Sequence, residues 1–217
     1  DAGRADAEAG TPLLALGRVI LSAAPPGDED ARDEAVHAWL EALGRQPRDA
    51  RVQALLWDQA GRDYGRAWRS DRALGRSLRI QEALVEASPD DVLAWANLGN
   101  TRRVAGHLEA ALQAYDAARR LDPGDAAVAS DRGLVLSALG RKDEALAAFE
   151  DAAQLDPAYT AARQNAARLL WLRGKDDEAA HHLAAALRQV RSMGEGPGLY
   201  RFLLDRTWRT RHRKALR

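Results

Sequence analysis

The sequence predicts an all-α fold, an α-solenoid made of antiparallel helix hairpins. A unit of 34 residues occurs twice in succession, over 92–125 and 126–159, and a fixed period of this length is typical of repeat arrays. Apolar residues in each unit recur three and four positions apart, which places them on one face of a helix. Alanine and leucine are abundant, and no run alternates between apolar and polar residues as a strand would.

Small and aromatic positions coincide when the two copies are aligned. The matching pairs are Gly99 with Gly133, Gly106 with Gly140, Ala111 with Ala145, Tyr115 with Phe149, Ala118 with Ala152 and Pro123 with Pro157. The small residues let two antiparallel helices approach closely, and the aromatic residues fill the space beside them. A glycine can adopt the left-handed conformation that ends a helix, and the residue before a proline is disfavoured in the helical region.

The first copy resembles a tetratricopeptide repeat (TPR). Trp95, Leu98 and Gly99 follow the order W-x2-L-G. Ala111, Tyr115 and Ala118 then follow the order A-x3-aromatic-x2-A, and Pro123 is the final proline of the motif. Arg102 stands where a tyrosine is usual. The resemblance implies a right-handed TPR array whose first helices line a concave groove. It also implies a non-catalytic scaffold that binds a peptide or a partner protein.

The chain before the two clear copies contains two less regular repeats. Residues 1–10 are small and polar, so we expect a disordered leader. The first repeat, over 8–49, has one helix beginning at Thr11-Pro12 and a second from about Asp28 to Leu43. Its first helix is expected to bury the stripe Leu13, Leu16, Val19, Ile20 and Ala23, and its second has Ala35, Trp39 and Ala42 in the A-x3-aromatic-x2-A arrangement.

The second repeat, over 50–91, is longer than the other units. Its first helix is predicted to extend past Tyr64 to Trp68, and Ser70 is expected to cap a partner helix that ends at Ser88. The extra length predicts a longer first helix or an added turn.

The period continues over 160–193 and then stops. Gly174 and Ala179 match the pattern, whereas Arg163 and Ala166 replace the expected tryptophan and leucine, as is usual in a terminal repeat. We expect a Gly/Pro hinge over 194–198 and a basic helix over 199–217. Two interpretations of that helix stay open: it caps the last repeat, or it binds an anionic membrane or nucleic acid.

The sequence contains no arrangement of residues that is typical of a catalytic site or of a metal-binding site. His181 and His182 are adjacent, so on a helix they point about 100° apart and cannot share a metal. Glu178 precedes His182 by four residues, which favours a surface contact. The chain has no cysteine, which excludes disulfides and thiolate chemistry. We expect a protein that is not an enzyme and that needs no metal or cofactor.

Charge is balanced over the whole chain and unbalanced at its ends. Lys and Arg total 32, as do Asp and Glu, so no nucleic-acid partner is expected from net charge. Residues 1–30 contain six acidic residues against two arginines, and residues 201–217 contain seven basic residues against Asp205. This separation predicts weak head-to-tail self-association, with an anionic partner for the basic end as the alternative.

If the first helices line a groove, their exposed faces contain the binding residues. The candidates are Asn97, Asn100, Arg103, Ser130, Asp131, Gln164, Asn165, Arg168 and Trp171. Asparagine amides both donate to and accept from a peptide backbone, which suits an extended ligand. Asp131 would repel a terminal carboxylate, which disfavours the carboxylate clamp of some TPR proteins. Trp171 has two interpretations, as a ligand contact or as a residue covered by the C-terminal helix, and the second is favoured.

Two other functions stay open at this point. One is a structural spacer that stacks end to end with itself, and the other is a regulatory or targeting arm of a larger enzyme. A cytoplasmic location is favoured, with the periplasm or secretion as alternatives because the sequence starts at Asp1 rather than at Met.

Overall fold

A computed structural model describes residues 11–192 of the chain, and within that range it confirms the all-α prediction. The described residues form ten α-helices and no strand. The helices are α1 (Thr11–Ala23), α2 (Glu29–Arg45), α3 (Ala50–Arg66), α4 (Asp71–Ala87), α5 (Val92–Val104), α6 (Leu108–Leu121), α7 (Ala126–Ala138), α8 (Lys142–Leu155), α9 (Thr160–Leu172) and α10 (Asp176–Ser192). Each predicted repeat contains two of them.

Packing divides the chain into two compact units, Asp1–Ala114 and Tyr115–Arg217. In the first unit α1 packs on α2 and α3 packs on α4, and in the second α7 packs on α8 and α9 packs on α10. Because only a few residues join the two helices of each pair, the helices of a pair run antiparallel. The second helix of a pair also contacts the first helix of the next, as α4 contacts α5 and α8 contacts α9.

Short polar residues and glycines set the helix ends. Ser70 accepts a hydrogen bond from the Ala73 amide at 3.1 Å, which confirms the predicted cap. Aspartates cap α2, α3, α5 and α7 in the same way. Gly106 and Gly140 each have φ of 79°, the left-handed conformation expected where the first helix of a hairpin ends.

The core of the first unit centres on Trp39, which is 2 % exposed. Its indole Nε1 donates to the Leu14 carbonyl oxygen at 3.3 Å, and its ring lies against Gly17, where an added Cβ would be 2.2 Å from Nε1. Leu14 and Gly17 are therefore the buried residues of α1. Of the predicted stripe, Leu13 and Ile20 pack half-buried against this core. The prediction was wrong for Leu16, Val19 and Ala23, which are exposed, because apolar residues occur on more than one face of this helix.

Phe149 has the corresponding role in the second unit. Its side chain is 1 % exposed, and a Cβ added to Gly133 would lie 2.6 Å from the phenyl Cε1. The glycine of the repeated pattern is therefore required by close approach between α7 and the aromatic side chain of α8.

The repeated pattern favours burial of its aromatic side chains, and Trp39, Tyr115 and Phe149 are buried. Trp95 differs, because it is only half-buried. The Trp95 Nε1 donates to the Pro89 carbonyl oxygen at 2.9 Å, so the ring leans over the turn before α5 and keeps one edge in solvent.

Several predictions concern parts of the chain outside the described residues. These are the leader over 1–10, the hinge over 194–198 and the basic helix over 199–217. Head-to-tail association depends largely on the same segments and stays a prediction. None of the helices described between residues 11 and 192 is long and apolar enough to cross a membrane.

Candidate functional site

The predicted groove residues all lie on first helices of hairpins. Asn97, Asn100 and Arg103 are on α5, the pair Ser130 and Asp131 is on α7, and Gln164, Asn165, Arg168 and Trp171 are on α9. The α5 residues belong to the first unit and the others to the second. Within the second unit α7 contacts α9, so the α7 and α9 residues belong to neighbouring helices.

The residues of α9 form the most exposed part of this set, and we call Gln164, Asn165, Arg168 and Trp171 the α9 face. Arg168 is exposed, and Trp171 is 57 % exposed. The two are three residues apart on a helix, so their side chains are neighbours on its surface. Gln164 and Asn165 lie one turn earlier and are half-buried. The favoured interpretation was that the C-terminal helix covers Trp171, and because residues 199–217 lie outside the described part of the chain, that interpretation stays a prediction.

Ser130 cannot contact a ligand, because it is 1 % exposed. Its hydroxyl is hydrogen-bonded to that of Tyr159, which precedes α9. Burial raises the pKa of Tyr159, and the nearby charge of Asp131 raises it further. Ser130 and Tyr159 therefore help to pack α7 against the start of α9, and Asp131, which is half-buried, is the α7 residue that can contribute to a binding face.

The α5 residues are less accessible than the α9 face. Asn97, Asn100 and Arg103 are all half-buried. The Arg103 Nε is buried and has no hydrogen-bond partner in the described part of the chain. A buried donor without a partner is uncommon in folded proteins, so Arg103 has spare capacity to bind an acceptor.

Sequence reasoning missed a buried ion network in the first unit. Arg76 on α4 and Asp63 on α3 both have side chains that are 0 % exposed, with 2.9 Å between Nη2 and Oδ1. The Arg76 Nε also donates to Asp63 Oδ2 at 3.0 Å, so the pair is bidentate. Arg76 further donates to Asp33 at 2.8 Å and to Glu29 at 2.5 Å, both on α2.

Hydrogen bonds within this network shift the pKa values of Arg76, Glu29 and Asp33. Burial lowers the pKa of Arg76, but its hydrogen bonds to Asp63, Asp33 and Glu29 outweigh burial and raise that pKa above its usual value. Burial raises the pKa of Glu29 and Asp33, but the hydrogen bonds and charges of Arg76, Arg72 and Arg32 together outweigh burial and lower both pKa values. Arg76, Glu29 and Asp33 are therefore charged at neutral pH, and the network ties α2, α3 and α4 together.

A polar cleft of about 740 Å³ in the second unit is lined by residues of α6, α7 and α8. Four of its charges are paired with one another: Arg132 with Asp116 at 2.6 Å and Arg119 with Asp151 at 2.8 Å. Because most of the charges that line the cleft already have partners, the cleft offers a charged ligand less than the α9 face does.

The histidines of α10 do not form a metal site with their neighbours. His182 Nε2 is 3.8 Å from Glu150 on α8 rather than paired with Glu178, and burial lowers the His182 pKa. Among residues 11–192 no group of three or more histidine, aspartate or glutamate side chains has the arrangement that a metal ion needs.

Two family models match the chain, both described as tetratricopeptide repeat. They cover residues 59–126 and 136–192, together more than half of the 217 residues. No curated protein sequence matches the chain.

Solved structures with a similar fold include MamA and two TPR proteins. MamA is 21 % identical with a TM-score of 0.63, and the match covers 87 % of this chain and 95 % of MamA. A thermophilic TPR protein of Thermus thermophilus is 26 % identical with a TM-score of 0.53, covering 96 % and 99 %. YrrB, a TPR protein with an unusual peptide-binding site, is 17 % identical with a TM-score of 0.59, covering 98 % and 96 %.

Proposed function

The chain belongs to the tetratricopeptide repeat family, and from that premise we propose that it is a non-catalytic scaffold that binds an extended segment of a partner protein on its first helices. The α9 face is the centre of the proposed site. Peptide binding on this fold has a precedent in YrrB.

The exposure of Trp171 carries the proposal. Trp171 is 57 % exposed, so much of its apolar surface is in contact with water. Burying that surface against a ligand would stabilise the complex by about 25 cal/mol per Å². Tryptophan and arginine are the residues most often found at the energetic centre of protein interfaces, and here Arg168 lies one turn from Trp171.

The polar residues near Trp171 suit a peptide backbone. The Asn165 amide can donate to a carbonyl oxygen and accept from an N–H group, and Gln164 offers the same groups. Asp131 on α7 gives the neighbouring helix a negative charge, whereas Arg168 gives α9 a positive one. A segment with an apolar side chain for Trp171 and a carboxylate for Arg168 matches this arrangement.

The experiment compares partner capture by two matched triple variants of the immobilised chain. The first replaces Gln164, Asn165 and Arg168 of the α9 face with alanine. The control replaces Gln113, Gln154 and Arg120, which are exposed residues of the second helices α6 and α8 and carry the same chemical groups. Captured proteins are quantified by mass spectrometry.

The proposal predicts that a defined partner binds the wild type and the control triple but is lost from the first triple. Equal capture by all three proteins would show that the first helices do not form the site. Circular dichroism of each variant verifies that the substitutions leave the helices intact.

A further inference from the structure

The connection between α3 and α4 contains an exposed tryptophan that folding does not explain. α3 has 17 residues, whereas the first helices α5, α7 and α9 have 13 each, so α3 is about one turn longer. Trp68 follows the extra turn, and it is 72 % exposed. An exposed tryptophan contributes little of the free energy of folding that a buried one would contribute. The stability of the fold therefore does not explain why a tryptophan stands at this position.

The extra turn is held rigidly from the inside. Asp63 lies within it, and the bidentate pair with Arg76 joins it to α4. Ala67, next to Trp68, is 8 % exposed and packs inward. A buried, bidentate ion pair restricts the turn more than a surface contact would, so Trp68 projects from a fixed base.

The Trp68 side chain is itself oriented. Its indole Nε1 donates to the Gly65 carbonyl oxygen at 3.1 Å. The Arg69 guanidinium carbon lies 3.8 Å from the centre of the ring, in a cation–π arrangement. The single polar group of the indole and one of its faces are therefore occupied, and a ligand meets an apolar surface beside a positive charge.

Two of the four arginines around Trp68 have no carboxylate partner among residues 11–192. Arg62 pairs with Asp58, and Arg72 pairs with Asp30 and Asp33. No ion pair of Arg66 or Arg69 is formed within residues 11–192, and both are exposed. We call Arg66, Trp68 and Arg69 the Trp68 platform.

We propose that the Trp68 platform binds an acidic protein segment in which carboxylates flank an aromatic side chain. The aromatic ring packs on the indole, and the carboxylates pair with Arg66 and Arg69. A nucleic acid fits less well, because strand binding requires a track of basic residues along many phosphates. The platform has two, with Asp71 close by at the start of α4. The platform lies at the end of α3 and in the connection to α4, in the first unit, whereas the α9 face belongs to the second unit.

Fluorescence polarisation of the full chain with a labelled probe peptide tests the proposal. The probe has one tyrosine between two pairs of glutamates, and a second probe has alanine in place of that tyrosine. Trp68→Ala removes the platform's indole, and Trp171→Ala makes the same change at the exposed tryptophan of α9. We expect Trp68→Ala to weaken binding of the tyrosine probe about tenfold or more and Trp171→Ala to change it less than about twofold.

Additional variants separate the charge from the ring. Arg66→Gln with Arg69→Gln is expected to weaken binding by a similar factor and to remove most of its salt dependence, and the alanine probe is expected to bind more weakly than the tyrosine probe. Because all three platform side chains are exposed, the variants are expected to keep the wild-type helical spectrum.

Three results would overturn the proposal. One is the absence of saturable binding of the tyrosine probe to the wild type. Another is binding that Trp68→Ala leaves unchanged. The third is binding of single-stranded oligothymidylate that requires Trp68 while the peptide does not bind, which would make the platform a nucleic-acid site instead.

Discussion

Replacing Arg76 with alanine tests the buried ion network most severely. Asp63 and Arg76 are both 0 % exposed, so Arg76→Ala leaves the Asp63 carboxylate buried without a counter-charge. Removing one partner of a buried pair costs about 3–5 kcal/mol of unfolding free energy. The other two acceptors add little, because Glu29 and Asp33 are 33 % and 29 % exposed and water can solvate them.

Urea unfolding followed by far-ultraviolet circular dichroism at pH 7 measures this loss. The matched control is Arg72→Ala, which removes an arginine of the same helix that pairs with Asp30 and Asp33 while 47 % exposed. We expect the control to lose only about 0–1 kcal/mol. The double replacement Arg76→Met with Asp63→Leu is expected to recover most of the stability, because it removes the charge along with its partner. A loss below about 1 kcal/mol for Arg76→Ala, no larger than the control's, would refute the reasoning.

The same network predicts how stability depends on acid. Because the folded-state pKa values of Glu29 and Asp33 are lowered, their contribution is present above the unfolded values of about 4.3 and 3.9 and is lost as pH falls through the lower folded values. The wild type is expected to lose unfolding free energy over this range. Arg76→Ala is expected to show a shallower dependence, since Arg76 makes the largest contribution to lowering both pKa values.

Two further predictions concern packing and pH. Gly133→Ala is expected to lower the unfolding free energy measured in urea by about 1–3 kcal/mol, because its Cβ would lie 2.6 Å from the Phe149 ring. Gly61→Ala, whose Cβ would have no neighbour within 4 Å, is expected to stabilise α3 by about 0.5–1 kcal/mol. Equal effects of the two substitutions would contradict the packing described here. Burial lowers the His182 pKa, so the unfolding free energy is expected to decrease as pH falls below the unfolded value of about 6.5, and His182→Gln is expected to remove that part of the slope.

The hairpin fold could be predicted from sequence because its causes are local and repeated. Gly133 and Gly140 recur one period from Gly99 and Gly106. In the structure Gly133 packs against an aromatic ring, and Gly106 and Gly140 adopt the left-handed conformation. The buried face of α1 was predicted wrongly because apolar residues surround that helix. Gly17 was the available signal, since it meets Trp39 as Gly133 meets Phe149.

The ion network had no comparable signal. Arg76 is 13 residues from Asp63 and 43 from Asp33 along the chain, so the pairing arises only from the packing of three helices. An arginine in an amphipathic helix is usually exposed, and nothing in the local spacing distinguishes Arg76 from Arg72. Exposure of a side chain likewise depends on tertiary packing, which explains why periodicity placed Ser130 among the exposed groove residues although its side chain is buried.

Site-specific photocrosslinking tests the central claim, that the first helices bind a partner segment. Benzoylphenylalanine replaces Arg168 on α9 in one protein and Gln154 on α8 in another, both exposed positions of the second unit. Each is irradiated with the partner identified by capture. The proposed site predicts a crosslinked product from position 168, abolished by Trp171→Ala, and none from position 154. Crosslinking from position 154 alone would contradict it and place the binding surface on the second helices.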